Sequence, residues 1–240
     1  MLKSGLLSVV LLASFLACSA HADSSTIKKN LAVQFPKSDI SSVEKTPYAG
    51  LYEVVIDGQI IYADENADYL FLGNVMDTKT KKNLTNERLA KLDAVGFNTL
   101  PLDHAIKFVK GDGSRKLAVF SDPECPYCKR LEQELTKVNN ITIYMFPYPI
   151  ESLHPGTTAL SKQIWCAKDK NAAWQEALLK NIVPKNDGKC SNPVDANVAL
   201  GNKLHISGTP TLIFINGQRV PGAVPADKLE LMLNAAKSSP

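Results

Sequence analysis

What the chain lacks narrows its chemistry first. Beyond residue 22 no stretch reaches the eighteen or so uninterrupted apolar residues needed to span a bilayer, so a soluble mature chain is expected. There is no internal repeat and no low-complexity tract, which excludes repeat arrays and flexible scaffolds. Charge of one sign is scarce too. Lys and Arg number 27 against 24 Asp and Glu, a net charge of +3 that is too mild to argue for a nucleic-acid partner. The one basic cluster, Lys79 to Asn83 (KTKKN), reads as a solvated turn. Histidine is sparse, and His104, His154 and His205 lie far apart. A structural zinc centre wants four ligands, often as a second Cys-x-x-Cys or a His pair at close spacing, and the sequence offers neither. No metal and no small-molecule cofactor is expected.

What is present begins with a leader. Lys3 supplies a positive start, Leu6 to Ala17 (LLSVVLLASFLA) an apolar run of signal-peptide length, and Ala20 to Ala22 (AHA) a small-x-small cleavage site. Residues 1–22 are therefore expected to be removed, with Asp23 as the first mature residue. Cys18, after FLA, offers a rival reading as a lipoprotein acylation site, against which Phe15 is a poor fit. Cleavage takes Lys3 away and leaves a net charge of +2 on about 218 residues.

Of five cysteines, four then remain: Cys125, Cys128, Cys166 and Cys190. The first two lie in FSDPECPYCKRLEQEL, Phe120 to Leu135. The apolar segment Lys116 to Ser121 before them is short enough to be a buried strand. After them Cys128, Leu131, Leu135 and Val138 recur at helical spacing, with Lys129, Arg130, Glu132 and Glu134 mostly on other faces. Pro126 suits a first helical turn, where its missing amide costs nothing. Strand, loop, Cys-Pro-Tyr-Cys, helix is the expected order. Cys125 would then sit at a helix N-terminus, where free amides and the macrodipole favour a thiolate. That spacing predicts Cys125 as the exposed, attacking sulfur and Cys128 as the buried resolving one. A structural disulfide across two residues at a helix start would be unusual. Export to an oxidising compartment and an even count suggest two disulfides. By elimination and context Cys166, in a helical stretch, pairs with Cys190, in a polar loop.

Two domains are expected. Ser25 to Phe35 can form a short amphipathic helix through Ile27, Leu31 and Phe35. Gly50 to Glu65 reads as two strands around Asp57-Gly58, a strong hairpin signal, and Asp68 to Asp77 as a further strand. So small a sheet buries little surface alone, which makes association a remedy. Thr85 to Gly96 reads as a linker helix with Thr85 as N-cap and Leu89, Leu92 and Val95 as a narrow apolar face. The expected organisation is 23–84 as a small α+β domain, 85–100 as a linker helix and 101–240 as the catalytic domain. In the last, strands at Ile141 to Phe146 and Thr211 to Gly217 and a helix at Ala226 to Ala236 frame helices near Trp165, Trp174 and Val198. That pattern predicts an α/β sheet with inserted helices. Both tryptophans are read as core.

A Cys-x-x-Cys between strand and helix, with Thr-Pro before a later strand, resembles the thioredoxin superfamily. The segments FSDPECPYCKRL, IWCAKDKN, ALGNKLHISGTPT and VPGAVP together resemble the periplasmic disulfide isomerases of the DsbC family. The N-terminal strands, LTNERL and the leader fit that family too. The resemblance implies a thioredoxin-like catalytic domain behind a dimerisation domain. Cys125 and Cys128 match the active dithiol, Cys166 and Cys190 the structural disulfide, and Thr209 and Pro210 the substrate-facing loop with its cis bond. It also implies a homodimer whose two catalytic domains face a shared cleft, a Gram-negative periplasmic location, misfolded disulfide-containing exported proteins as substrates, and a membrane reductase of the DsbD type. Some holding of unfolded chains is implied as well. One departure is Pro126-Tyr127, where the family usually has Gly-Tyr; Cys-Pro-Tyr-Cys is similar to the glutaredoxin motif. Two other readings are an oxidase like DsbA, which would usually lack residues 23–84, and a chaperone in which the thiols are secondary.

Overall fold

The computed structural model describes residues 24–237, and the leader, Cys18 and the proposed cleavage site before Asp23 lie outside them. The chain divides into two compact units, with the boundary between Leu89 and Ala90.

The N-terminal unit is a helix on a four-stranded antiparallel meander. Helix α1 (Ser24–Gln34) buries Ile27 and Leu31. Strands β1 (Ile40–Lys45), β2 (Tyr52–Ile56), β3 (Gln59–Ala63) and β4 (Leu70–Phe71) follow in spatial order. The β2–β3 turn is Asp57-Gly58, both at positive φ (50° and 75°), as a two-residue hairpin of twisted strands demands. Alternation along β2 and β3 serves two cores. Tyr52, Val54, Ile61 and Ala63 meet α1, while Val55, Ile60 and Tyr62 pack with Tyr48, Leu51, Val75 and Leu89. The strand expected across Asp68 to Asp77 is cut to two residues. Past Phe71 the chain leaves the sheet, because Val75 bonds the next helix instead: its amide donates to Thr85 Oγ1 at 2.8 Å and its carbonyl accepts from the Leu84 amide. KTKKN forms the turn that follows.

Helix α2 (Leu84–Leu92) is shorter than expected and is capped differently. Asn83 is the residue whose side chain accepts from the Asn86 amide, at 2.9 Å. Thr85 is buried inside the first turn, its hydroxyl 2.6 Å from that of Tyr62. The helix stops because the chain is drawn into other contacts. The Val95 amide donates to the Gly217 carbonyl, and Val95, Phe97 and Leu100 enter the core of the C-terminal unit. Leu92, expected on an apolar face, is exposed.

The C-terminal unit is a five-stranded mixed sheet covered on both faces. Its strands are β5 (Ile106–Lys110), β6 (Arg115–Ser121), β7 (Ile141–Pro147), β8 (Thr211–Phe214) and β9 (Arg219–Pro221), in the order β5-β7-β6-β8-β9. Only β6 and β7 run parallel. They are joined through helix α3 (Pro126–Thr136), the crossover that a parallel pair requires. Helices α4 (Thr157–Trp165), α5 (Lys170–Lys180) and α6 (Val194–Lys203) are inserted between β7 and β8, and α7 (Ala226–Lys237) closes the chain. Strand β6 shows why both faces are apolar: Leu117 and Val119 pack with Leu131, Trp174 and Leu229, whereas Ala118 and Phe120 pack with Phe146, Ile206 and Ile213. Trp174 is fully buried; Trp165 is half-buried under the Lys170 ammonium, 3.7 Å from its ring centroid. Among the described residues no helix is long and apolar enough to cross a membrane.

Candidate active site

Strand β6 ends at Ser121, the four residues Asp122 to Cys125 turn the chain, and α3 begins at Pro126. Cys125 is the residue just before the helix, with extended backbone (φ −69°, ψ 124°), and its carbonyl already accepts from the Cys128 and Lys129 amides. Cys128 therefore lies one helical turn on, facing the core beside Leu131 and Val138. Both sulfurs are free thiols.

The two environments differ. Burial pushes the Cys128 thiol well above its ordinary range. Cys125 is pulled down to about 5. The largest cause is a hydrogen bond with the Cys128 thiol; burial opposes it, and the Thr209 side chain and the Cys128 and Tyr127 amides add to the lowering. The helix N-terminus thus acts as expected, through its amides, but ranks below the partner sulfur. The expected exposure of Cys125 needs correcting. It keeps only 5% of its surface, against 1% for Cys128. Its cover is the Thr209 loop, whose carbonyl accepts from Cys125 Sγ at 3.4 Å. The Thr209–Pro210 bond is cis. Tyr127, between the cysteines, is largely exposed.

Cys166, which terminates α4, is bonded to Cys190 in the polar loop before α6. It stands apart from the dithiol, and neither cysteine joins the core around Cys125.

Two acidic residues of the C-terminal unit are buried. Glu132, expected off the apolar face of α3, is 5% exposed and packs where α3 meets α5. Burial raises it to about 6, with the Trp174 hydrogen bond and the Lys110 ammonium pulling the other way. The Asp122 carboxylate is fully buried, bonded among others to His154 Nδ1 at 3.0 Å. Nothing in local spacing signals this contact, because His154 lies 32 residues away.

Comparison with known proteins places this geometry. Residues 102–237 match the model for a thioredoxin-like domain, and residues 18–86 match the disulfide bond isomerase protein N-terminal domain. A probable thiol:disulfide interchange protein DsbC of Bordetella pertussis is 44% identical over 207 residues, 86% of this chain and 73% of that protein. The thiol:disulfide interchange protein DsbC of Escherichia coli K12 is 29% identical over 238 residues, 97% of this chain and 96% of that protein. Among solved structures, a disulfide interchange protein from Neisseria gonorrhoeae is 41% identical with a TM-score of 0.56, covering 58% of this chain and 100% of that one. The architecture is thus an antiparallel N-terminal sheet domain followed by a thioredoxin-like mixed sheet with helices.

Proposed function

The chain belongs to the DsbC family of thiol:disulfide interchange proteins, and from that premise we propose that it rearranges incorrect disulfides in exported proteins through Cys125 and Cys128. The observation that carries this reading is the asymmetry of the pair: Cys125 stands just before α3 with its thiol pulled down to about 5, and Cys128 lies one turn on in the core with its thiol pushed up by burial.

The steps follow from that asymmetry. The Cys125 thiolate attacks one sulfur of a substrate disulfide, forming a mixed disulfide and releasing the other sulfur as a thiolate. A substrate thiolate then attacks elsewhere in the substrate, and Cys125 is eventually displaced unchanged, so no net oxidation occurs. If rearrangement stalls, Cys128 loses its proton, attacks Cys125 Sγ and expels the substrate thiolate. The substrate has then gained two electrons, and the enzyme leaves as the Cys125–Cys128 disulfide. That route needs a donor dithiol, for which a membrane reductase of the DsbD type is the proposed source. Thr209 and Pro210 are the proposed wall of the substrate site, since their loop lies against Cys125 Sγ. Cys166–Cys190 is the proposed structural bond.

The proposed location is the periplasm of a Gram-negative bacterium. The proposed assembly is a homodimer through residues 23–84. Support comes from the two-residue β4, in and around which Tyr69, Phe71, Leu72 and Met76 are exposed. A sheet edge with apolar side chains and unpaired backbone groups suits a twofold partner. Holding of unfolded chains is a further proposed activity, supported by exposed Tyr127, Leu153, Ile182 and Val183 in the C-terminal unit.

The deciding experiment is refolding of a scrambled multi-disulfide protein, with oxidation of a reduced substrate measured alongside. Recovery of native pairing in excess of oxidation supports isomerisation. Oxidation without rearrangement would mean an oxidase. Suppression of aggregation by a Cys125→Ser, Cys128→Ser chain tests the holding activity by itself.

A further inference from the structure

Asp122 touches both cysteines and nothing about its position is explained by packing alone. Its amide donates to Cys128 Sγ at 3.4 Å, and its carbonyl accepts from the Cys125 amide at 3.2 Å. Its carboxylate has no exposed surface, yet each oxygen finds two donors. Oδ1 accepts from the Glu124 amide at 2.9 Å and from the Thr157 hydroxyl. Oδ2 accepts from the Ile150 amide at 2.8 Å and faces His154 Nδ1 at 3.0 Å. A buried carboxylate is tolerated only when so satisfied, and four donors arriving from two segments fix the side chain in one place. One of those segments is the turn that leads into the dithiol. The other is the stretch from Ile150 to Thr157, between β7 and α4.

We infer that Asp122 is a positioning residue for the dithiol: its anchored carboxylate fixes the 121–122 peptide, whose amide holds Cys128 Sγ in the orientation that donates to Cys125. Two bonds then run in series, Asp122 N–H to Cys128 Sγ and Cys128 S–H to Cys125 Sγ. Accepting at a sulfur polarises its own S–H, so each bond strengthens the next. The next peptide, through the Asp122 carbonyl, accepts from the Cys125 amide, so the same residue holds both cysteines. A residue that merely tied down the 150–157 segment would need the carboxylate contacts but not the amide on sulfur. The inference rests on reading Cys125 as the attacking thiol.

The sign of one measurement separates this role from the alternatives. In Asp122→Asn the side chain loses its charge, and its amide group must point a donor at one fixed backbone donor, the amide of Glu124 or of Ile150, even when the Thr157 hydroxyl or the His154 ring turns to accept. Loss of a negative charge alone would favour the Cys125 thiolate and lower its titration midpoint. Loss of the held Cys128 donor would raise it. The experiment is thiolate absorbance near 240 nm against pH on the reduced full-length chain, with near-ultraviolet circular dichroism to confirm folding. The expected result for folded Asp122→Asn is a midpoint raised by about one pH unit. Resolution of a preformed mixed disulfide by Cys128 should slow about tenfold. An unchanged or lowered midpoint overturns the inference. If Asp122→Asn does not fold, Thr157→Val decides, since it removes one anchor without altering charge. It should raise the midpoint in the same direction, and Thr157→Ser should restore it. A folded Thr157→Val chain with an unaltered midpoint overturns the inference equally. The underlying reading is tested apart from this by alkylation of the unaltered chain. Label arriving first at Cys128 sinks the assignment of the dithiol, whereas an unshifted midpoint in a chain labelled at Cys125 sinks only the role of Asp122.

Discussion

Trp174 Nε1 donates to the Glu132 carboxylate at 3.3 Å, inside the core of the C-terminal unit. This one neutral donor does not repay the burial of a charge, and Glu132 holds its proton up to about 6. The unfolded chain releases that proton near the ordinary value of 4.5. Ionisation therefore costs the fold nothing below 4.5, a growing amount as pH rises to 6, and a constant amount above. Glu132→Gln keeps an oxygen for Trp174 and removes the charge. The expected gain in stability is about 2 kcal/mol at pH 8, vanishing at pH 4. Denaturant unfolding at the two pH values measures it. Equal stability of the two chains at pH 8 would refute the account.

The low titration of Cys125 sets a pH profile for the redox couple. Above about 5 the reduced protein carries one thiolate, so reduction takes up one proton with two electrons. The reduction potential should fall by about 30 mV per pH unit there and by about 60 mV below the break. Equilibration with glutathione across pH 4 to 8 locates the break. A single slope from end to end would contradict the thiolate assignment. The reduced form also gains stability from Cys125 as pH rises from 5 toward the ordinary thiol range near 9, and loses it as pH falls through 5.

Cys166 and Cys190 are separated by 24 residues, and a loop of that size closed by a bond is worth about 2–4 kcal/mol in the chain-entropy account. Replacing both with Ala should lower stability by that order and leave the labelling rate of Cys125 in the folded fraction unchanged. A changed labelling rate of Cys125 within the folded fraction would show the bond to be part of the site.

Gly201 lies in α6, where alanine would ordinarily favour the helix by about 1 kcal/mol. A Cβ there would come within 2.3 Å of the Tyr148 ring, which cannot retreat because its hydroxyl is bonded to Asn202 and to the Ile206 carbonyl. Overpacking of this kind costs about 1–3 kcal/mol, so against the helix gain Gly201→Ala should be net destabilising by up to about 2 kcal/mol. Thermal unfolding checks it, and a stabilised variant would mean that Tyr148 has room to move.

The proposed dimer carries its own test. The unit from Ala90 onward has a core on each face of its sheet, so deletion of residues 23–84 should leave a folded monomer. Isomerase activity should fall while thiol reactivity persists. Sedimentation of the intact chain as a monomer at micromolar concentration would refute the assembly.

Features written within a few residues of one another were legible in the sequence. Asp57-Gly58 declared its hairpin, and the spacing of Cys128, Leu131 and Leu135 declared α3. Strands β1 (ISSVEK) and β5 (IKFVK) were missed because polar and charged residues fill much of each. Their place is set by ladders to β2 and β7 rather than by their own apolar content. Thr85 looked like a cap because capping is judged locally, whereas its hydroxyl is claimed by Tyr62, 23 residues earlier. Glu132 and the cover over Cys125 were hidden for the same reason: α5 and the Thr209 loop reach them from 42 and 84 residues away.

A thiol-disulfide oxidoreductase spends part of each cycle covalently tethered to another chain, and a tether can pull. In the proposed mechanism Cys125 is the mechanical link, and load on it passes through the 122–124 turn into β6. That strand is laced to β7 on one side over its whole length and to β8 on the other from Leu117 to Phe120. A pull along β6 is therefore shared as shear among many backbone bonds instead of peeling them one at a time. The dithiol is mounted like a hook on a plate riveted along both edges, so a thrashing, half-folded client would lose its own weak contacts before it drew the hook out of register.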